Sequence, residues 1–283
     1  MRFNPAFILA ALPVLVSAGN APGISGYRLV WQDNFSGPSG QLPDESKWEI
    51  IDRNLGVNGE LQTYKRSNHN LQKSGGETLQ LIPWREGNSW TSGRVESWYT
   101  FTPEAGKRTL AQAEIRFGGN DIRNKQGIWP AFWTLGQSIR TGTKWPACGE
   151  VDILETVNGQ LKGYGTVHCD VSPGGICREF EGIGAAIDIP DQSWHTWTAV
   201  WDRTSNDWTR ETITWFRDGQ QYHKIDGARI GNFAVWQSLA QKPLFFILNV
   251  AVGGQWPGYP NDITYDGYGA MMEVRYVAHY VSN

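Results

Sequence analysis

The sequence predicts an all-β sandwich of two antiparallel sheets. Short runs rich in β-branched and aromatic residues recur with alternating polarity, and turn residues separate them. The dipeptides Asn158-Gly159 and Asp218-Gly219 are strong signals for tight hairpins. Helical periodicity is confined to one short segment at residues 233–239, so the pattern favours two packed sheets. The predicted strands include residues 78–82, 94–101, 110–117, 194–201, 212–216, 244–249 and 272–280.

Length, charge and the first residues limit the class of protein. A chain of 283 residues with a formal net charge of −3 is long enough for one large domain, and it carries no basic run for nucleic acid. Residues 1–18 have the features of a secretory signal, with Arg2 before an apolar run too short to span a membrane. The alternative for this run is an ordinary N-terminal strand or buried helix. We expect a secreted, extracellular monomer with no membrane partner, a loosely ordered segment at 19–26 and a single domain at 27–283.

Three cysteines in an oxidising compartment leave one without a partner in the chain. Cys169 and Cys177 bracket a turn-rich loop that could close on itself, whereas Cys148 could pair with Cys169 if their strands are neighbours. The sequence leaves both pairings open, and the spacing is not that of a zinc site. Asn34-Phe-Ser36 is the one glycosylation sequon, and its use depends on its burial.

Three carboxylates lie within six residues, in the run from Glu150 through Asp152 to Glu155. The run is typical of a strand, on which Glu150 and Asp152 share a face and Glu155 does not. A one-residue bulge between Asp152 and Glu155 would bring all three to one face, and bulges are common beside active sites. The alternative is a solvated polar strand face.

Two glutamates flanking a site are what glycoside hydrolysis needs, one to attack the anomeric carbon and one to protonate the leaving oxygen. Their short spacing favours the retaining arrangement, in which the carboxyl groups lie about 5–5.5 Å apart. Asp152 can share a proton with Glu150. Mutual repulsion is expected to hold Glu155 protonated while Glu150 is ionised.

The segment Trp145-Pro-Ala-Cys-Gly-Glu-Val-Asp-Ile-Leu-Glu155 resembles the active-site signature of glycoside hydrolase family 16, in its bulged form. Gly127-Ile-Trp-Pro-Ala-Phe-Trp-Thr-Leu-Gly136 precedes it and Asn249-Val-Ala-Val-Gly-Gly-Gln-Trp-Pro-Gly258 follows it, in the family's order. In this bulged form the segment resembles that of laminarinase-like endo-β-1,3(4)-glucanases. The resemblance implies a β-jelly roll with a concave substrate cleft, Glu150 as the nucleophile, Asp152 as its helper and Glu155 as the acid/base.

The resemblance also implies sugar contacts around these carboxylates. Trp133 and Trp145 would line the glycone side of the cleft, and His168 would hydrogen-bond near the acid/base. The alternatives are core packing for the tryptophans, a structural histidine, a simple turn at Asn58-Gly59 and a surface salt bridge for Arg94. The full set of predicted substrate-binding residues is His168, Trp133, Trp145, Trp129, Asn58, Glu60, Gln62, Arg94, Asn249 and Trp256.

The leading functional hypothesis is a secreted retaining endo-β-1,3(4)-glucanase that acts on β-glucan or a related polysaccharide without a cofactor. The alternatives are an endo-β-1,3-galactanase or a cell-wall transglycosylase of the same fold, and a non-catalytic glucan-binding protein. The last is disfavoured because the chain keeps all three carboxylates. Many relatives bind a structural calcium through an Asp in the final strand, where this chain has Arg275, so we expect no metal there.

Overall fold

The protein is described by a computed structural model over residues 19–283, and the predicted signal segment 1–18 lies outside the described residues. Residues 19–26 form no strand or helix, but Ala21 and Ile24 pack against a cluster around Tyr280. Among residues 19–283, no helix is long and apolar enough to cross a membrane. The strands are β1 (Tyr27–Asp33), β2 (Trp48–Ile50), β3 (Gln62–Tyr64), β4 (Leu71–Lys73), β5 (Leu79–Leu81), β6 (Trp84–Glu86), β7 (Ser89–Ser92), β8 (Arg94–Phe101), β9 (Arg108–Phe117), β10 (Ile128–Gly136), β11 (Glu150–Glu155), β12 (Lys162–His168), β13 (Ile183–Asp188), β14 (His195–Asp202), β15 (Thr212–Arg217), β16 (Gln220–Asp226), β17 (Leu244–Val252) and β18 (Met272–Ser282).

Two large antiparallel sheets make up the sandwich, as predicted. One runs β16-β15-β14-β9-β18-β5-β4, with β1 also paired to β18, and the other runs β13-β12-β11-β10-β17-β8-β2. A small third sheet, β3-β7-β6, contains the parallel pair β3 and β7. The helices are α1 (Gly227–Ile230) and α2 (Phe233–Ala240), and α2 covers the segment with predicted helical periodicity. The 3₁₀ helices are Ile122–Asn124, Gln137–Thr141, Trp208–Arg210 and Gly267–Ala270.

Both predicted hairpin turns form, but they differ in length. Asp218 and Gly219 alone connect β15 to β16, and both have positive φ, 49° and 77°, as a tight type I′ turn requires. Asn158 and Gly159 also have positive φ, 61° and 66°. They lie in the middle of the longer loop 156–161 between β11 and β12, so the prediction of a tight hairpin is wrong at this position.

The core between the sheets is built from large aromatic side chains. Five tryptophans are fully buried there, and Phe132 of β10 faces the same interior. Burying an aromatic side chain removes on the order of 150–250 Å² from water, so these rings dominate the packing energy. The buried tryptophans are Trp48, Trp197, Trp201, Trp215 and Trp236.

The opposite sheet supports the bulge in β11. The pairing of β11 with β12 slips between Asp152 and Glu155, as predicted, and the pairing with β10 slips at the same place. A bulge disrupts the local ladder of hydrogen bonds. Here the indole N–H of Trp215 donates to the Asp152 carbonyl at 2.7 Å, and the hydroxyl of Tyr222 donates to the Ile153 carbonyl at 3.1 Å. These two side chains therefore hold the bulge from the other layer of the sandwich.

A glycine allows that approach. A Cβ atom at Gly165 of β12 would lie 2.5 Å from the Trp215 ring and 2.6 Å from the Tyr222 hydroxyl, so a larger residue would push both away from the bulge.

The cysteines pair locally. Cys169 and Cys177 form a disulfide, and Cys148 is free and buried beside Leu135 and Phe245. Of the two pairings that the sequence left open, the one that forms is the pairing that closes the short loop between Cys169 and Cys177.

Arg275 forms an ion pair with Glu114 at 2.6 Å instead of facing open solvent. The absence of calcium at this position stays a prediction.

Candidate active site

The bulge places the three carboxylates of β11 together. Val151, Ile153 and Leu154 are fully buried in the core between the sheets. Glu150 and Glu155 are half-buried, and Asp152 lies between them with 3 % of its surface exposed. The alternative of a solvated polar strand face is therefore wrong, because these carboxylates sit in a largely desolvated environment.

Glu150 is held from two sides. Its carboxylate accepts a hydrogen bond of 3.1 Å from the indole Nε1 of Trp145, and its cross-strand partner on β12 is His168. Burial raises the pKa of Glu150, while the charge of His168 and the bond from Trp145 lower it. The nearby cation and N–H donor favour the ionised form that a nucleophile needs.

Glu155 is held by a second indole. Trp129 donates through Nε1 to its carboxylate at 2.9 Å. Burial and the charge of Glu150 raise the pKa of Glu155, whereas the charge of His168 and the bond from Trp129 lower it, and the net pKa is about 7. The prediction of a protonated Glu155 is thus supported, but the largest cause is desolvation and not the predicted repulsion between carboxylates.

Asp152 is positioned to be neutral. Burial raises its pKa well above the usual range, and the charges of Glu155 and Glu150 add to that effect. Its Oδ2 has no hydrogen-bond partner among the described residues. Oδ2 of Asp152 makes no hydrogen bond to Glu150, so the sharing of a proton between these two residues stays a prediction.

His168 is anchored by a residue that sequence reasoning missed. Its Nδ1 lies 2.6 Å from Oε2 of Glu179, and the other Glu179 oxygen accepts the Cys169 N–H at 2.8 Å. Hydrogen bonding to Glu179 and the charges of Glu150 and Glu155 raise the pKa of His168 to about 9, although burial acts in the opposite direction. The register places this imidazolium opposite Glu150, with Nε2 3.5 Å from Asp152. Its charge also lowers the pKa of Glu155, while the predicted hydrogen bond near the acid/base stays a prediction.

Aromatic side chains extend the site at both ends. At the Glu150 end, Phe180 stacks on Trp145 with ring centroids 6.1 Å apart and 66 % of Phe180 exposed. At the Glu155 end, Trp256 packs edge-on against Trp129 and Tyr164, at 5.3 and 5.1 Å. Trp256 is 43 % exposed, which suits a sugar platform. The sequence indicated Trp256 by its motif but contained no signal for Phe180.

Arg94 belongs to a buried network beside the site. It pairs with Glu96 at 2.7 Å, and its guanidinium lies 5.0 Å from the Trp133 ring. Only 8 % of Arg94 is exposed, so the alternative of a surface salt bridge is wrong. Trp133 in turn donates from Nε1 to Asn249 at 2.7 Å, and Asn249 donates to the Tyr64 hydroxyl.

Two of the predicted loop residues, Asn58 and Gln62, hold the third, Glu60, in place. Asn58 and Gly59 have positive φ and form a turn, as the alternative reading held. Asn58 and Gln62 both donate to Glu60, at 3.0 and 2.6 Å. Gln62 is 2 % exposed and also accepts the Val252 N–H, so it positions Glu60. Glu60 lies near the catalytic strand, since its charge raises the pKa of Glu155.

One group among residues 19–283 has the geometry to hold a metal ion. Glu150, Asp152 and His168 each offer a ligand atom, and these atoms all lie within 4.8 Å of one another. The sequence predicted no metal ligands, because the third residue comes from a neighbouring strand.

Comparisons with known proteins identify relatives of this chain. The family profile described as "XgeA-like, catalytic GH16 domain" matches residues 120–177, which contain the three carboxylates and His168. The chain is 31 % identical over 301 residues to Beta-glucanase from Rhodothermus marinus, covering 99 % of this chain and 95 % of that protein. It is 29 % identical over 293 residues to Glucan endo-1,3-beta-glucosidase A1 from Niallia circulans, covering 92 % of this chain but only 38 % of that longer protein.

The fold has close counterparts of known structure. The crystal structure of endo-1,3-beta-glucanase from Streptomyces sioyaensis matches with a TM-score of 0.86 and 33 % identity, covering 93 % of this chain and 100 % of that chain. This similarity confirms the predicted jelly-roll sandwich. Together with the near full-length match to the Rhodothermus protein, it leads to one conclusion: the chain belongs to glycoside hydrolase family 16.

Proposed function

We propose that the chain is a secreted endo-β-1,3-glucanase that also cuts mixed-linkage β-1,3/1,4-glucan and retains the anomeric configuration. The observation that carries this proposal is the pair of glutamates across a buried bulge, each bound by an indole N–H. The names of the Rhodothermus, Niallia and Streptomyces proteins support a β-glucan substrate. The apolar segment at residues 1–18 and the Cys169–Cys177 disulfide support secretion.

The proposed reaction is a double displacement. Ionised Glu150 attacks the anomeric carbon while protonated Glu155 donates its proton to the leaving oxygen, and a glycosyl ester on Glu150 results. Esterification removes the charge of Glu150, one of the influences that raise the pKa of Glu155. Glu155 then loses its proton more readily and can act as the base that activates water. His168 and a neutral Asp152 stabilise the charge of Glu150 before it attacks the sugar and again after the glycosyl ester is hydrolysed.

Substrate choice is tested by incubating the protein with laminarin, lichenan, β-1,3-galactan and xyloglucan and separating the products by chromatography. Release of a ladder of oligosaccharides from laminarin, with lichenan cut more slowly, is the expected result. Cleavage of β-1,3-galactan alone would favour the galactanase alternative. Products longer than the polysaccharide supplied would favour transglycosylation.

The stereochemistry of the first product follows from the proposed mechanism. Two inversions at one carbon restore the original configuration, so the β-anomer is expected to form first. Proton NMR during the first minutes of laminarin hydrolysis, before mutarotation, measures this directly. An initial α-anomer would mean a single displacement by water and would contradict the role of Glu150 as nucleophile.

The pH profile of kcat/KM is expected to be bell-shaped with a mildly acidic optimum. Activity falls on the acidic side as Glu150 takes up a proton, and on the alkaline side as Glu155, with a pKa of about 7, loses one. Because the two glutamates interact, the apparent pKa on each side of the pH profile belongs to the pair and not to one residue. A rate that still rises above about pH 8 would point to a base other than a carboxylate.

Trp129→Phe tests what sets the fall of kcat/KM on the alkaline side of the pH profile, its alkaline limb. The Trp129 N–H lowers the pKa of Glu155, so its removal is expected to move that limb to higher pH. Trp256→Phe changes the neighbouring ring and keeps the Trp129 bond, so it serves as the control. Equal shifts in both variants would show that packing, and not this hydrogen bond, sets the limb.

A further inference from the structure

We propose that Glu150, Asp152 and His168 form a binding site for a divalent transition-metal ion such as Zn²⁺, and that the bound ion blocks the enzyme. The binding itself is independent of the catalytic assignment, whereas the inhibition rests on the proposed function, since it requires Glu150 to be the nucleophile.

The distances fit such an ion. Oδ2 of Asp152 and Nε2 of His168 are 3.5 Å apart. Two ligands bound to one zinc ion at about 2.0–2.1 Å in tetrahedral geometry lie about 3.3 Å from each other. Glu150 offers the third oxygen, and all three ligand atoms lie within 4.8 Å of one another. Glu150 is half-buried, so part of its side chain contacts solvent, from which an ion can approach.

The second observation is a buried oxygen that makes no hydrogen bond. Asp152 is 3 % exposed, and its Oδ2 accepts no hydrogen bond within residues 19–283. A buried oxygen that accepts no hydrogen bond has lost its contacts with water without a full replacement. A cation between Asp152 and His168 would contact this oxygen directly, and its binding would release the protons of Asp152 and His168 to solvent, because both ligands bind in their deprotonated forms.

Glu179 completes the arrangement from behind. Ligating histidines usually donate their second ring N–H to a carboxylate, which fixes the ring and its tautomer. Glu179 binds Nδ1 of His168 at 2.6 Å and is itself held by the Cys169 N–H, so Nε2 is directed at Asp152. An imidazole with two carboxylates suits zinc or copper better than calcium or magnesium, which prefer all-oxygen sites.

A metal bound to Glu150 would occupy the oxygen that attacks the sugar. Zinc is therefore expected to inhibit competitively with laminarin and to be removed by EDTA. Because Mg²⁺ suits this ligand set poorly, the same concentration of Mg²⁺ is expected to have no effect.

The test measures binding and activity separately. Isothermal titration of the EDTA-treated protein with zinc sulfate is expected to give one site, and Co²⁺ should give visible absorption bands from a tetrahedral site. His168→Asn and Asp152→Asn are each expected to weaken zinc binding at least tenfold, and Glu179→Gln by about 10–100-fold. His69→Asn alters an exposed histidine away from these ligands and should bind zinc as the wild type does.

Thermal melts identify variants that do not fold. Zinc affinity unchanged in both His168→Asn and Asp152→Asn, or inhibition that is not competitive, would overturn the proposal. Zinc binding that depends on these ligands in a protein without glucanase activity would keep the metal site and reject the proposed function instead.

Discussion

Glu150→Gln is expected to lower kcat on laminarin by several orders of magnitude while the fold is preserved. Glutamine has the same shape and can still accept the Trp145 N–H, but it cannot attack the anomeric carbon. Burial already disfavours the ionised form of Glu150, so a neutral amide is not expected to reduce the free energy of unfolding. Kinetics on laminarin and a thermal melt measure the two effects separately.

The matched control is Glu181→Gln, the same change at an exposed position beyond Glu179. It is expected to leave kcat and KM unchanged. If Glu150→Gln kept more than about a tenth of wild-type activity with a normal melt, the assignment of the nucleophile would be wrong.

Glu155→Ala is expected to lose activity in a way that depends on the leaving group. Natural glucan needs a proton on its leaving oxygen and should lose several orders of magnitude in kcat/KM, whereas an aryl glycoside with a good leaving group should be partly spared. The glycosyl ester then accumulates, because no base activates water. Added azide needs no base and should restore turnover, with a β-glycosyl azide as the product.

Glu155→Gln provides the companion variant, since it keeps an acceptor for the Trp129 N–H but cannot donate or accept the catalytic proton. Both variants should show the same dependence on the leaving group. Equal losses on good and poor leaving groups, with no effect of azide, would assign the acid/base role elsewhere.

Much of the catalytic strand could be predicted because its signals are local. Alternation along a strand decides which residues share a face, so the parity of Glu150, Asp152 and Glu155 was enough to predict the bulge that the structure confirms. On β10, Trp129 and Trp133 lie an even number of positions apart, so alternation puts them on one face and Phe132 on the other, in the core.

Other features were beyond local signals. Glu179 lies eleven residues after His168, and only the folded, disulfide-closed loop brings the two together. The resemblance directed attention to sugar contacts at Arg94 and Gln62, whereas both are buried and occupied by neighbouring side chains. A motif states which residue types recur but not which polar groups are already paired.

The sequence by itself determined the all-β class, the bulged carboxylate strand and the family, because alternation, turn residues and a short motif are encoded over a few neighbouring positions. Only the tertiary structure decided which cysteines pair, which carboxylate holds His168, and that Trp215 and Tyr222 support the bulge from the opposite sheet. It also decided why Glu155 keeps its proton. Desolvation depends on every atom packed around a carboxylate, and those atoms come from strands far apart in the chain.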